Sequence, residues 1–261
     1  MSEIETDDEQ TRRSHTRDIV FIILVALAVG GVANPINLDS QSTLTIERLY
    51  YIKTLMDKLG DFINKVYLVD VAAVGGLYAD WTGYGAGVTN YLCVPEMPLD
   101  TTGTKFELPG GYIEGGDLAT FKPITGFQDS YFEDGVTEST KHAWYGDGGD
   151  ALHPYDGETS LNYSGPKPPY EQLDVEQSYS WLKSPRWKGH AMEVGPLARV
   201  LMLYATGHEQ TQELVNYTLS TLNVPVEALF STLGRTAART LETKVVADTM
   251  QTWYDNLIGN I

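Results

Sequence analysis

The stretch SPRWKGHAMEVGPLARV, residues 184–200, gathers the side chains best suited to polar chemistry. It places two Arg, one Lys and one His around Glu193, just before a Gly-Pro pair that favours a helix start. The Glu193 carboxylate could cap that helix or form an ion pair with Arg186 or Arg199. The pattern therefore predicts an anchored carboxylate, and its basic neighbours leave the choice of partner open.

Metal and nucleophile motifs are sparse. The five histidines show neither HExxH nor HxxxH spacing, which leaves only a speculative zinc site made by His142, His153 and a distant carboxylate. Cys93 is the single cysteine, so no CxxC pair exists. A lone cysteine is more often a small buried apolar residue than a nucleophile, and we expect Cys93 to be one.

Overall composition limits the function classes. The formal net charge is −17, with 35 acidic and 18 basic residues. A nucleic-acid-binding protein needs a basic face, so this balance argues against nucleic acid as a partner. Hydrophobic residues make up 42% of the 261 residues, enough for a substantial core.

Apolar spacing predicts helices on both sides of an irregular middle. Three- and four-residue steps run from Ile46 to Tyr67 after a cap at Ser42 or Thr43, and the helix could continue to Tyr78. Further helices are predicted from Pro196 to a C-cap at Gly207, over 209–223, and from Pro225 onward. Between them, FELPGGYIEGGDLATF reads as short strands separated by glycine turns.

The N-terminal segment 1–29 is atypical. Its first ten residues are acidic and predicted to be disordered, and eleven apolar residues, Ile19–Val29, follow the basic segment TRRSHTRD. This order is typical of a secretory signal or short anchor, whereas a buried core segment is the alternative interpretation. The run is shorter than the roughly 20 residues that span a bilayer.

Five blocks stand out in order along the chain: GGVANPIN, FINKVYLVDVAAVGGLYADW, ESTKHAWY with LHPYDGET, GHAMEVGPLARV and LGRTAARTLE. Together they resemble the large subunit of nickel-iron hydrogenases. They follow the family's order from Gly30 to Ile261, and the resemblance implies one partial large-subunit domain over 30–261. The implied fold is α+β and predominantly helical, part of a helical bundle with an irregular β-containing insert.

The resemblance also implies roles for individual residues. Glu193 would belong to a network that supports proton movement, and Arg199 would be its ionic neighbour. His142 and His190 would be polar residues packed near the site. The family holds a Ni-Fe centre with four cysteine thiolates from two CxxC motifs, and this sequence has neither motif. No metal ligand is therefore assigned, and the chain alone is expected not to bind the centre.

These observations predict a partial hydrogenase large subunit, for hydrogen oxidation or evolution, that is inactive by itself. Its expected partners are an iron-sulfur small subunit and a complementary large-subunit polypeptide. Membrane-associated or periplasmic localisation through the partner is favoured over a free cytoplasmic one. The alternative is a non-catalytic anchored or secreted scaffold protein derived from the same segment, which the apolar run at Ile19–Val29 would favour.

Overall fold

The computed structural model describes residues 45–100, 102–126, 129–145, 151–157, 160–161 and 178–259. The apolar run Ile19–Val29, the block 30–37 and the proposed caps Ser42 and Thr43 lie outside these described residues. Within them, no helix combines the length and the apolar character needed to cross a membrane.

The first helical stretch is long and nearly continuous. Helix α1, Ile46–Phe62, passes through a π-helical segment, Ile63–Tyr67, into helix α2, Leu68–Leu77. The Thr45 side chain accepts a hydrogen bond from the Arg48 backbone N–H at 3.2 Å, so the N-cap is Thr45 rather than Ser42 or Thr43. The predicted continuation through Gly75-Gly76 is confirmed.

The C-terminal half forms three longer helices, as predicted. Helix α4, Pro196–Ala205, begins with Pro at its first turn and ends before Gly207, which has a positive φ of 84°. Helix α5, Glu209–Leu222, follows, and helix α6, Thr232–Gly259, is the longest. Pro225 precedes a 3₁₀ turn, Val226–Leu229, and not the long helix itself.

Short strands and one short helix make up the insert. Strands β1, β4 and β5 form one antiparallel sheet, β2 and β3 pair with each other, and β6, β7 and β8 form a third sheet. The bounds are β1 Tyr91–Cys93, β2 Glu96–Pro98, β3 Phe106–Leu108, β4 Gly110–Ile113, β5 Lys122–Ile124, helix α3 Ser130–Glu133, β6 Val136–Ser139, β7 Ser184–Trp187 and β8 His190–Ala191. The predicted strands around the glycine turns are confirmed, whereas β7 and β8 were not anticipated.

The main core lies where α4 meets the first sheet and α6. Six of the ten residues of α4 are buried, against Tyr91 of β1, Ile113 of β4 and Leu241 of α6. A second cluster joins α1 to the end of α6 through Leu59 and Trp253. The predicted class, predominantly helical α+β with a β-containing insert, is confirmed.

Candidate functional site

Two backbone hydrogen bonds hold Glu193 beside the first sheet. The Glu193 N–H donates to the Asn90 carbonyl at 2.8 Å, and the Leu92 N–H donates to the Glu193 carbonyl at 2.9 Å. Glu193 thereby forms an isolated parallel bridge with Tyr91 of β1. Because β1 is central to the core, the sheet fixes the position from which the Glu193 side chain projects.

The Glu193 carboxylate is bound by Arg235 of α6 in a two-point ion pair. Arg235 Nε donates to Oε1 at 2.7 Å, and Nη2 donates to Oε2 at 2.6 Å. Planar guanidinium and carboxylate groups match in this geometry, which makes such pairs stronger than single contacts. The hydrogen bonds and charge of Glu193 outweigh desolvation and raise the pKa of Arg235.

Arg235 also donates hydrogen bonds to the loop before β1. Its Nη1 donates to the Gly85 carbonyl, and its Nη2 donates to the Ala86 carbonyl at 2.9 Å. Gly87, with a φ of 62°, passes so close that a Cβ there would lie 2.8 Å from Arg235 Nη2. The guanidinium therefore joins three segments: the loop 84–87, Glu193 in the segment that precedes α4, and the start of α6.

Tyr91 lies beside this pair and is fully buried. Its hydroxyl has no hydrogen-bond partner among the described residues, and its ring packs on Phe230 with centroids 5.8 Å apart. Burial, reinforced by the Glu193 charge and partly offset by Arg235, raises the pKa of Tyr91 to about 12. Tyr91 is thus a buried, uncharged phenol next to Glu193 of the ion pair.

We expect Tyr91 to make the free energy of unfolding fall at alkaline pH. Above its usual pKa of 10.0 the unfolded chain loses the phenol proton, whereas the folded chain keeps it until about 12. Between pH 10.0 and about 12 the folded state therefore binds more protons than the unfolded state. In this window the free energy of unfolding falls by about 1.4 kcal/mol per pH unit, and below pH 10.0 Tyr91 does not change it. Urea unfolding of Tyr91→Phe at pH values on both sides of 10 should show a correspondingly shallower slope. An unchanged slope would contradict the shifted pKa.

Arg199 forms a separate ion pair with Glu242, which lies further along α6 than Arg235. Its Nε and Nη2 donate to the two carboxylate oxygens of Glu242, and its Nη1 lies 3.9 Å from Glu96. Desolvation disfavours the charged form of Arg199 and by itself would lower the pKa. The carboxylates of Glu242 and Glu96 outweigh desolvation and raise the pKa of Arg199. The predicted pairing of Arg199 with Glu193 is therefore wrong, because each residue faces a different turn of α6.

Cys93 lies on β1 next to this second pair and is buried, as expected. Its burial raises the pKa of the thiol, an effect that the nearby Arg199 charge only partly offsets. The neutral thiol is favoured, whereas metal ligation and nucleophilic attack both require the thiolate. Cys93 is therefore a core residue in this structure.

The two histidines implied by the resemblance lie in the β-containing insert. His190 is exposed on β8, opposite Trp187 of β7. His142 is also exposed, and its ring stacks on Tyr179 at 5.7 Å. Their roles near a site stay predictions. The described residues contain no group of three or more His, Cys, Asp or Glu side chains that could hold a metal ion, so they give the speculative zinc site no support.

Arg235 is the residue of this candidate site that sequence reasoning missed. It is 42 residues from Glu193, and no local spacing joins the two. Its only signal is its place in LGRTAARTLE, one of the blocks that carries the family resemblance. Two separated blocks, GHAMEVGPLARV and LGRTAARTLE, are thus brought into direct contact through their charged residues.

Comparison with known proteins decides the family. The sequence profile described as nickel-dependent hydrogenase matches residues 24–261. The chain belongs to the nickel-dependent hydrogenase family. This hydrogenase chain is 45% identical over 241 residues to the Hydrogenase-2 large chain of Escherichia coli (strain K12), covering 90% of this chain and 41% of that one. It is 43% identical over 249 residues to the uptake hydrogenase large subunit of Bradyrhizobium diazoefficiens, with 89% and 41% covered.

Solved structures agree with this assignment. The hydrogenase chain resembles the Ni-Fe-Se hydrogenase from D. vulgaris Hildenborough in the reduced state, with a TM-score of 0.60 and 27% identity. That match covers 82% of this chain and 41% of the other. The predicted fold, part of a hydrogenase large subunit, is confirmed. The chain spans about two fifths of the length of the curated relatives it matches.

Proposed function

We propose that this chain forms the central part of a nickel-iron hydrogenase large subunit and contributes to hydrogen oxidation or evolution only within a larger assembly. The family match over residues 24–261 is the observation that carries the proposal. The partners would be an iron-sulfur small subunit and a polypeptide that supplies the rest of the large subunit. Nucleic acid is disfavoured by the net charge of −17.

The residues of this chain do not fit the Ni-Fe centre by themselves. A soft metal centre of this kind is held by thiolates, and the sequence offers one cysteine, whose thiol is buried beside an ion pair. The centre supplies the hydrogen chemistry in the family, and we assign no step of it to residues here. What this chain would contribute is the supporting structure around the Glu193–Arg235 pair.

Nickel content tests the proposal directly. Purified alone from cells supplied with nickel, the chain should contain far less than one nickel per molecule, because thiolate ligands are lacking. Assembled with a small subunit and the missing large-subunit segments, it should contain stoichiometric nickel and catalyse exchange between deuterium gas and water protons. Stoichiometric nickel in the chain alone, measured by atomic emission, would overturn the claim that it needs those segments.

We further propose that Glu193 supports proton movement in the assembled enzyme. The support is its position: a carboxylate held at two points beside a buried phenol, on a segment anchored to the core. Glu193→Gln keeps the shape and one hydrogen-bond acceptor but removes the carboxylate. Proton–deuterium exchange by the assembled enzyme should fall by about tenfold or more.

The same assembly carrying Tyr217→Phe, a change at an exposed position of α5, is the control. Nickel content and melting temperature are measured for both variants, so that loss of the pair's structural role is separated from loss of a proton carrier. Unchanged exchange in Glu193→Gln would remove Glu193 from the proton route.

A further inference from the structure

The Tyr91 hydroxyl is a polar group buried without a protein partner that the structure describes. Tyr91 is 0% exposed, and none of the described residues forms a hydrogen bond with its hydroxyl. A buried hydroxyl without a hydrogen bond destabilises the folded state, and the large majority of buried polar side-chain atoms bind either protein or ordered water. The hydroxyl therefore calls for a partner other than the described protein groups.

The parallel bridge between Tyr91 and Glu193 places the phenol next to the carboxylate. Residues paired across neighbouring strands project from the same face of the sheet, so the two side chains leave it side by side. After burial, the Glu193 charge is the largest influence on the pKa of Tyr91, which agrees with this closeness. The phenol and the carboxylate are thus neighbours that form no direct hydrogen bond, the arrangement in which a bridging water is expected.

The groups around the phenol retain acceptor capacity beyond the ion pair. Each Glu193 carboxylate oxygen accepts one N–H of Arg235, whereas an ionised carboxylate offers about four acceptor positions. The Gly85 and Ala86 carbonyls each accept one bond from Arg235, and a carbonyl oxygen has two lone pairs. A buried water makes about three hydrogen bonds, and one donor with two such acceptors meets that requirement.

We propose that the Tyr91 hydroxyl and the Glu193 carboxylate bind one internal water molecule between them. The water accepts the hydrogen bond of the phenol O–H, donates one hydrogen to a Glu193 oxygen and donates the other to a carbonyl of the loop 84–87. Burial and the Glu193 charge raise the pKa of Tyr91 to about 12, so the phenol is a donor at neutral pH. Tyr91 is thereby a positioning residue, because its O–H turns the hydrogens of the water towards the acceptors.

In the assembled enzyme, this water is the group that exchanges protons with Glu193. That role rests on the proposed function, whereas the water site depends only on the contacts of this chain. When the carboxylate takes up a proton, an O–H bond of the water breaks as the carboxyl O–H bond forms. Solvent water replaces the proton at the second lone pair of the bound water's oxygen.

A crystal structure of the full 261-residue chain, at a resolution that shows ordered water, tests the site directly. One water should lie within hydrogen-bond distance of both the Tyr91 Oη and a Glu193 carboxylate oxygen. The same water should be lost from the structure of Tyr91→Phe, which keeps the ring that packs on Phe230. A Tyr91 Oη that contacts only apolar atoms, or that binds another protein group directly, would overturn the proposal.

Urea unfolding of the full chain at neutral pH tests the site in solution. Tyr91→Phe should raise the equilibrium constant for unfolding about fivefold, as the loss of a hydrogen bond does. Tyr217→Phe, at an exposed position of α5, is the matched control and should change it less than about twofold. In a Glu193→Leu background the water lacks its carboxylate acceptor, so Tyr91→Phe should then have less than about a twofold effect. A Tyr91→Phe chain at least as stable as the parent, or an undiminished effect in Glu193→Leu, would overturn the site. If Glu193→Leu does not fold, the sign of the Tyr91→Phe effect and the crystal structure decide.

Proton–deuterium exchange by the assembled enzyme tests the role of the water. At unchanged nickel content, Tyr91→Phe should lower the exchange rate at least about threefold. It should also increase the solvent deuterium isotope effect on hydrogen oxidation, which a purely structural defect would not do. Unchanged exchange in Tyr91→Phe, where Glu193→Gln lowers it, would overturn the place of the water in the proton route. Unchanged exchange in both variants contradicts the proposed role of Glu193 and leaves the water site standing.

Discussion

Arg235→Leu is expected to lower the free energy of unfolding by about 3 kcal/mol. The substitution leaves the Glu193 carboxylate, whose side chain is only 16% exposed, without its two-point partner. It also removes the donors to the Gly85 and Ala86 carbonyls. Because the Arg235 side chain is 26% exposed, water can replace part of what is lost, which keeps the effect below that of a fully buried pair.

Urea unfolding of the purified chain measures this loss, with Arg239→Leu as the matched control. Arg239 is one helical turn later on α6 and is exposed, so its replacement should change stability by less than about 0.5 kcal/mol. The double variant Glu193→Leu with Arg235→Leu should be more stable than the sum of the single changes predicts, since no carboxylate is left unpaired. Equal effects at Arg235 and Arg239 would show that the ion pair contributes nothing.

Gly234→Ala is the second change with a large expected effect, a loss of about 3 kcal/mol. An added Cβ would lie 2.5 Å from the Ala228 carbonyl oxygen and closer still to that of Leu229. Both atoms belong to the backbone of the 3₁₀ turn before α6 and cannot rotate away. Ser231 tightens the same turn, since its hydroxyl donates to the Ala228 carbonyl at 2.6 Å and accepts from the Gly234 N–H at 3.0 Å.

Gly60→Ala is the control for this prediction. It places the same methyl group on a helix, at a position with no atom within 4 Å, and should raise stability by about 0.5–1 kcal/mol. Thermal unfolding should therefore move in opposite directions for the two variants. A gain in stability for Gly234→Ala would mean that the turn before α6 shifts at little cost. It would contradict the prediction that this turn excludes a Cβ at position 234.

The family and the helices were accessible from the sequence because both depend on local patterns. Apolar residues three and four apart, with Pro196 and Gly207 at the ends of α4, are sufficient to place helices. The expectation for Cys93 was likewise correct, since small sulfur-containing side chains favour the interior. The ordered blocks sufficed for the hydrogenase assignment, and the matched profile confirms it.

Sequence alone determined which segments are helical, although not every helix start, together with the acidic charge and the single cysteine. Tertiary structure decided that Glu193 binds Arg235 while Arg199 binds Glu242, a choice set by which turn of α6 faces each residue. It also decided that a Cβ at Gly234 would collide with the backbone of the turn that precedes α6. The physical reason is the sequence separation of the contacts. A helix is set by hydrogen bonds between residues four apart, whereas the Glu193–Arg235 ion pair joins residues 42 apart and exists only after the chain has packed.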